Sequence, residues 1–294
     1  MTNYTNKNLR ICVICHLHYE FMWDEIKSYL HNLELYTNFD LYITLSKTNK
    51  ILVNNIKSEF KKTININIEY IENNFYGADI YPFFHILNKI NLNQYDIVYK
   101  LHTKQNFDTL KIKFPKRFNN GIYVGLSYWR KFLLNAILGR NNTIKVLNAF
   151  KNKFIGCAGF YPLQIHLNIP DFQIPKELSD CVNYELIKNK NFSKFYGGTI
   201  FAIRSSLLIK LQNKITYENF LTKTDSSNKF GDIAYFMEAF FGHIVIANNY
   251  KFYSTYNFVH KIILKLLSNN FSKKLYCFYV NKFILDKIGG SNEK

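Results

Sequence analysis

Lys100, His102 and Lys104 stand at alternate positions at the polar end of an apolar run, YDIVYKLHTKQ. Alternate residues of an extended strand share a face, so two ammonium groups and an imidazole would meet there. Charge-assisted hydrogen bonds to phosphate are strong, and three such donors together favour a diphosphate over a neutral ligand. A solvated basic strand end is the plainer alternative. Upstream lies a glycine-acid turn, FYGADIYPFF. Gly77 would let a ligand approach the backbone, and Asp79 could accept from a ribose or sugar hydroxyl. Asp79 equally suits a helix N-cap, and Pro82 fits the first turn of that helix without a chemical role.

For such a strand to aim side chains at a ligand, it belongs in a buried parallel sheet, whose C-terminal edge opens on the binding crevice. The preceding sequence supplies that setting. Residues 9–15 read as a buried strand, followed by a helix in which Trp23, Ile26, Leu30 and Leu33 recur at helical spacing. FDLYITLS is a second strand, 48–60 a helix, ININIEYIE a third strand, 80–90 a helix and 96–101 the fourth strand. This alternation predicts a parallel sheet with helical crossovers. Residues 106–121 are polar and basic without periodicity and read as a loop. SYWRKFLLNAILG follows as a helix with Gly139 as its C-terminal cap, then a helix over 142–151 and a strand in FIGCAGFYPL. YGGTIFAIRSSLLIKL reads as a strand running into a helix, GDIAYFMEAFFG as a short helix from Asp232, and HIVIAN as a closing strand. From Phe258 onward, lysines alternate with apolar residues at helical intervals, as in basic amphipathic helices that rest on a membrane or on their own core.

Composition narrows the partners. Thirty-eight Lys and Arg against 21 Asp and Glu give a net charge of +17, which attracts phosphorylated substrates, anionic lipid or nucleic acid. No nucleic-acid reader motif accompanies that charge, so nucleic acid is not expected as a partner. The cysteines are five, an odd number, and Cys12 and Cys15 lie inside the first strand, which favours reduced buried thiols over a redox or zinc pair. The polar N-terminus lacks a signal-peptide core and no apolar run is long enough to span a bilayer, so a cytoplasmic location is expected.

YGADIYPFF, YDIVYKLHTKQ, YWRKFLLNAILG and GGTIFAIRSSLL occur in the order seen in the rhamnan synthesis protein F family of bacterial polysaccharide glycosyltransferases, and GDIAYFMEAFFG resembles that family's acidic C-terminal motif. The resemblance implies an α/β, GT-A-like fold with a Rossmann-like, mostly parallel central sheet flanked by helices and a helical basic C-terminal extension. It divides the chain into a transferase domain over 1–257, with a nucleotide-sugar half (1–105) and an acceptor half (106–257), and C-terminal helices over 258–294. It implies transfer of a sugar, rhamnose foremost and dTDP-rhamnose as its donor, to a lipid-linked or polysaccharide acceptor. Such an enzyme would work at the inner face of the cytoplasmic membrane, held peripherally by anionic lipid.

Enzymes of GT-A layout commonly hold a metal through an Asp-x-Asp after the fourth strand. Lys-Leu-His-Thr-Lys stands here instead. Cations at that point could neutralise the departing diphosphate, so a divalent metal is allowed but no cofactor is expected. Arg130 is a further candidate, as acceptor ligand, alongside Gly198 and Thr199, where glycines would let a sugar approach the backbone. An inverting transferase needs a carboxylate base, and Asp232 and Glu238 are the candidates. Six residues apart on a helix, they point about 240° from each other, so one reacting atom cannot engage both. Glu238, flanked by Phe236, Met237, Ala239 and Phe240, would be costly to bury unpaired, which favours it as the base and Asp232 as an acceptor ligand. His16 and His18 follow the first strand, where nucleobase contacts occur in such folds. The competing expectation is a noncatalytic binder of RNA or anionic lipid on a transferase-like fold.

Overall fold

A computed structural model describes residues 9–60, 63–72, 77–103, 110–112, 122–124, 126–161, 164–168, 174–183, 186, 192–221 and 233–256. Its first half is β1 (Ile11–Leu17), α1 (Trp23–Glu34), β2 (Phe39–Leu45), α2 (Lys50–Glu59), β3 (Thr63–Tyr70), α3 (Ile80–Leu87) and β4 (Ile97–His102), as the alternation predicts. There follow β5 (Leu110–Ile112), β6 (Ile122–Val124), α4 (Leu126–Leu138), α5 (Arg140–Phe150), β7 (Ile155–Ala158), β8 (Gln164–Asn168), β9 (Phe192–Tyr196), β10 (Phe201–Arg204), α6 (Ser205–Ile209), α7 (Ile233–Ala247) and β11 (Lys251–Tyr253).

Seven strands form the central sheet in the order β11-β7-β10-β4-β1-β2-β3. β1 pairs in parallel with both β2 and β4, and β2 with β3, while β10 runs antiparallel to β4 and β7. Chain order therefore reverses at β1, which puts the switch-point crevice between the C-terminal ends of β1 and β4. Both faces of the sheet are covered. Ile11, Val13, Cys15 and Leu17 of β1 join the core formed with α1, α4 and α5, whereas Cys12 and Ile14 join the core formed with α3 and α7. On β4, Ile97, Tyr99 and Leu101 face the first core and Val98 the second. Lys100 and His102 share the parity of Val98 and so point to the side of α3 and α7.

Several expectations are corrected. HIVIAN is not a strand: α7 runs through it to Ala247, and the closing strand is β11. Nearly every residue of α7 from Phe236 is buried, so its apolar residues encircle the helix and carry no period by which a strand could be told apart. Residues 110–112, inside the expected loop, pair with 122–124, just beyond it, as a short antiparallel ladder. α4 does stop at Gly139, whose amide donates to the Asn135 carbonyl at 3.0 Å, but at φ −60° this glycine is not left-handed and also opens α5; a Cβ there would lie 2.6 Å from that carbonyl oxygen. Cys12, Cys15, Cys157 and Cys181 are buried free thiols. Among the described residues no helix is long and apolar enough to cross a membrane. The amphipathic segment 258–294 lies outside the described residues.

Candidate functional site

Lys100 and His102 end β4, Asp79 precedes α3, Gly198 and Thr199 lead into β10, and Glu238 stands in the second turn of α7. These segments meet at the C-terminal edge of the parallel strands. The Asp79 carboxylate does not cap α3; its Oδ2 instead accepts from Lys100 Nζ and, at 2.5 Å, from the Thr199 hydroxyl. His102 Nε2 lies 3.7 Å from the same oxygen, 3.1 Å from Thr199 Oγ1 and 2.8 Å from the Gly198 carbonyl. A carbonyl can only accept, so Nε2 of His102 carries the proton. Lys100 Nζ also reaches the Thr199 carbonyl at 3.3 Å and stands over the Phe83 ring, 5.5 Å from its centroid.

The two-residue turn at 198–199 is thus gripped from all sides. Glu238 Oε1 accepts from the Gly198 amide at 2.5 Å, His102 donates to the Gly198 carbonyl, Lys100 to the Thr199 carbonyl, and the Thr199 hydroxyl donates to Asp79. The turn requires that grip, because Gly198 has φ 88° and Thr199 φ 53°, a left-handed backbone that a β-branched residue resists. Ala78, beside Asp79, is left-handed as well, at φ 45°. Non-glycine residues of this kind cost about 1–3 kcal/mol each and persist where surrounding contacts over-determine them, which is characteristic of functional sites.

Lys100 is 1% exposed and Asp79 15% in their side chains. Burial alone would raise the Asp79 carboxyl, but the charges of His102 and Lys100 and hydrogen bonds from Lys100 and Thr199 hold it well below the usual carboxylate range. Oδ2 takes all the contacts described for this carboxylate; among the described residues Oδ1 accepts none. Asp79 is therefore held as an anion, with Oδ2 engaged by Lys100, Thr199 and His102.

The geometry departs from the sequence expectations in particular ways. Lys100 is committed to Asp79 rather than standing as a loose cation at a strand tip. Glu238, whose burial without a partner would be costly, accepts from the Gly198 amide. A Cβ on Gly77 would lie 2.5 Å from Cβ of Tyr81 and 2.7 Å from the Phe220 ring, so the close approach there comes from the protein itself. Arg130 is buried in α4, with Nε 2.9 Å from Glu25 Oε1 of α1 and a second bond from the guanidinium to Oε2, which makes it a bidentate partner of that helix. Lys104 and Asp232 lie outside the described residues. Thr103 went unremarked in the sequence, although it stands within the same run; its backbone amide donates to the His16 carbonyl and its hydroxyl accepts from the Tyr19 amide across the β1–β4 crevice.

His16 does not open to the crevice. It is 5% exposed with Nδ1 2.9 Å from Thr44 Oγ1, and burial, aided by the nearby charges of His102, His18 and Lys100 and opposed by Asp79, pulls it from 6.5 to about 3. Burial likewise lowers His243 to about 4. Both imidazoles are neutral when folded, so the stability they contribute is full above pH 6.5 and lost as pH falls from there toward their folded values. The melting temperature is expected to drop steadily from pH 6.5 to 4.5, and His16→Gln to flatten part of that slope. A wild-type profile level across that interval would contradict the assignment.

A family model described as rhamnan synthesis protein F matches residues 1–250. Uncharacterized protein WxcX of Xanthomonas campestris pv. campestris is 25% identical over 245 residues, which cover 82% of this chain and 32% of that protein. WxcX from a second strain is 29% identical over 148 residues, 50% of this chain and 18% of the relative. The chain thus spans about a third or less of the length of these curated relatives. Among solved structures, core-mannan synthase A (CmsA/Ktr4) from Aspergillus fumigatus in an Mn/GDP form shares 9% identity at a TM-score of 0.36, covering 86% of this chain and 74% of that one. The mannosyltransferase Ktr4p of S. cerevisiae in complex with GDP shares 10% at 0.35, with the same coverage. Likeness at that level bears on neither fold assignment nor activity.

Proposed function

The chain belongs to the rhamnan synthesis protein F family, and from that premise we propose that it is a glycosyltransferase that moves a sugar from a nucleoside diphosphate donor to a growing bacterial surface polysaccharide. The observation that carries this reading is the gathering of Asp79, Lys100, His102, Thr199 and Glu238, from four separate segments, around a strained turn beside the sheet's switch point. A polyanion binder has no evident need for such a construction, whereas group transfer needs charged groups fixed before the reaction begins.

The roles follow from the geometry. Asp79 offers Oδ1 to a hydroxyl of the donor, with Lys100 and His102 holding its charge and orientation. Gly198 and Thr199 present a backbone turn against which the sugar is placed. Glu238, anchored by the Gly198 amide, is the base that takes the proton of the attacking acceptor hydroxyl, and displacement from the opposite side inverts the anomeric centre. Lys104, two positions beyond His102, is assigned to the departing diphosphate by its spacing. Rhamnose is the favoured sugar by the family's description, and dTDP-rhamnose the favoured donor by the resemblance of the sequence motifs. The net charge of +17 suits a lipid-linked acceptor at an anionic membrane face.

A divalent metal is allowed but not expected: Lys100 bonds Asp79 Oδ2, where a second cation would be repelled. Transfer is expected to proceed in excess chelator; complete loss that magnesium or manganese restores would overturn metal independence.

Thermal shift with dTDP, UDP, GDP and CMP tests the donor reading first. A ligand that binds only the folded state raises the melting temperature, so at least one diphosphate is expected to stabilise the protein. No response to any nucleotide, together with binding of short RNA, would replace the transferase by a polyanion binder.

A further inference from the structure

We propose that β3, the open edge of the central sheet, is a self-association seam on which a second copy of this chain docks strand to strand, antiparallel and centred on Ile68. β3 ends the strand order, with β2 on one side and, among the described residues, no strand on the other. Sheet edges are ordinarily blunted by short length, proline or lysine. This one is the longest strand of the sheet, eight residues against seven in β1 and β2 and six in β4. Its sequence, TININIEY, holds neither proline nor lysine, in a chain with 38 Lys and Arg. Ile64 is 68% exposed and Tyr70 44%.

The backbone fixes which groups are on offer. Along a strand, the N–H and C=O groups of successive residues point to opposite edges. The Ile71 amide donates to the Leu45 carbonyl of β2 at 2.9 Å, so Asn67 and Glu69 also face β2, and Ile66, Ile68 and Tyr70 face outward. Ile64 and Asn65 stand together against Asp40 and bulge the start of the strand, which leaves Ile66–Tyr70 as its straight part. About a two-fold axis at Ile68, Ile66 exchanges backbone bonds with Tyr70 of the other copy, and Ile68 with its own counterpart. Their side chains then pair across the seam on the face that packs against the first core, an aromatic with a β-branched residue and isoleucine with isoleucine. Asn67 comes to stand opposite Glu69. A shift toward the end of the strand sets Glu69 against Glu69, and a shift the other way runs into the bulge, so this register is selected. Charge agrees with it. Glu69 is the one charged residue of β3 and already holds His85 and Lys89 on Oε2, so two chains of +17 meet here where they repel each other least.

The experiment compares sedimentation equilibrium over a range of concentrations for wild type, Tyr70→Ala and Tyr70→Pro. Proline removes an outward amide without touching the ladder to β2, and an edge strand tolerates it where that amide faces solvent. Wild type is expected to dimerise, and Tyr70→Pro to weaken the dimer at least about fivefold more than Tyr70→Ala, since each copy loses a backbone bond across the seam. Hydrogen exchange on wild type alone gives a second reading that does not depend on the variants folding. As the dimer forms, the amides of Ile66, Ile68 and Tyr70 are expected to exchange more slowly, with those of Asn67 and Glu69 unchanged. A monomer at every concentration overturns the second copy as occupant and leaves the edge to a strand of another protein. A dimer of equal affinity in Tyr70→Pro and Tyr70→Ala, or one in which the three outward amides do not slow, overturns β3 as the seam.

Discussion

Lys100→Met is expected to lower the stability of the protein by about 3–5 kcal/mol, the usual consequence of leaving one member of a buried ion pair without its partner. The ammonium is 1% exposed and bonds Asp79, so its removal leaves a carboxylate that, among the described residues, is held by Thr199 and His102. Asp79→Asn is expected to act in the same direction, because it strands a buried ammonium. The double variant Lys100→Met/Asp79→Asn is expected to be more stable than the sum of the single losses predicts, since neither charge then remains. Urea midpoints for the four proteins decide it, and additive losses would remove the pair from the account. Acid provides a second measurement. The folded carboxyl of Asp79 lies below its unfolded value of about 3.9, so the stability it contributes is present above about pH 4 and lost as pH falls through the folded value. The gap between wild type and Lys100→Met is therefore expected to be widest near neutrality and to close below pH 4.

That pairing marks where the sequence is legible and where it is not. Strand periodicity correctly places Lys100 and His102 on one face, since parity is a local property of an extended chain. Which groups they meet there is settled by β10, which enters the sheet antiparallel between β4 and β7 and delivers Gly198 and Thr199 to the end of β4. A pairing between residues so distant along the chain leaves no trace in local spacing. The same reason explains Asp79. As a residue before a helix it reads equally as a cap or a ligand, and only the position of Lys100 on the neighbouring layer turns its carboxylate away from the α3 amides.

The alternation of the first half is legible for a physical cause as well: strands buried on both faces read as continuous apolar runs, and the crossover helices α1 and α2 have one apolar side each. α7 fails that logic because it is enclosed by β9, α3 and the sheet, so apolar residues are required all round it. The misreading of its C-terminal half as a strand has this origin. A carboxylate on a helix so buried requires partners, and one of them is a backbone amide, the kind of group sequence never displays.

The amide also makes Glu238 testable in a way an ordinary catalytic acid is not. The Gly198 N–H needs only an acceptor, and the carbonyl oxygen of a glutamine side chain can serve in place of the carboxylate oxygen. Glu238→Gln therefore keeps the anchor of the turn while removing the ability to take a proton, whereas Glu238→Ala removes both. With the donor that gives the largest thermal shift, Glu238→Gln is expected to retain a near-wild-type melting temperature and donor affinity while turnover falls by about 10²–10⁴-fold, the range general bases contribute. Glu238→Ala is expected to lose donor affinity as well, because Thr199 at φ 53° and Gly198 at φ 88° lose one of the contacts that hold them. Near-normal turnover in Glu238→Gln would take the residue out of proton transfer and leave it as the support of the turn, passing the base to Asp232 or to Asp79. Asp79 would then be distinguished by its depressed titration: a base held so strongly anionic gives a rate that stays level far into acid, where a carboxylate of ordinary pKa would already have lost its activity.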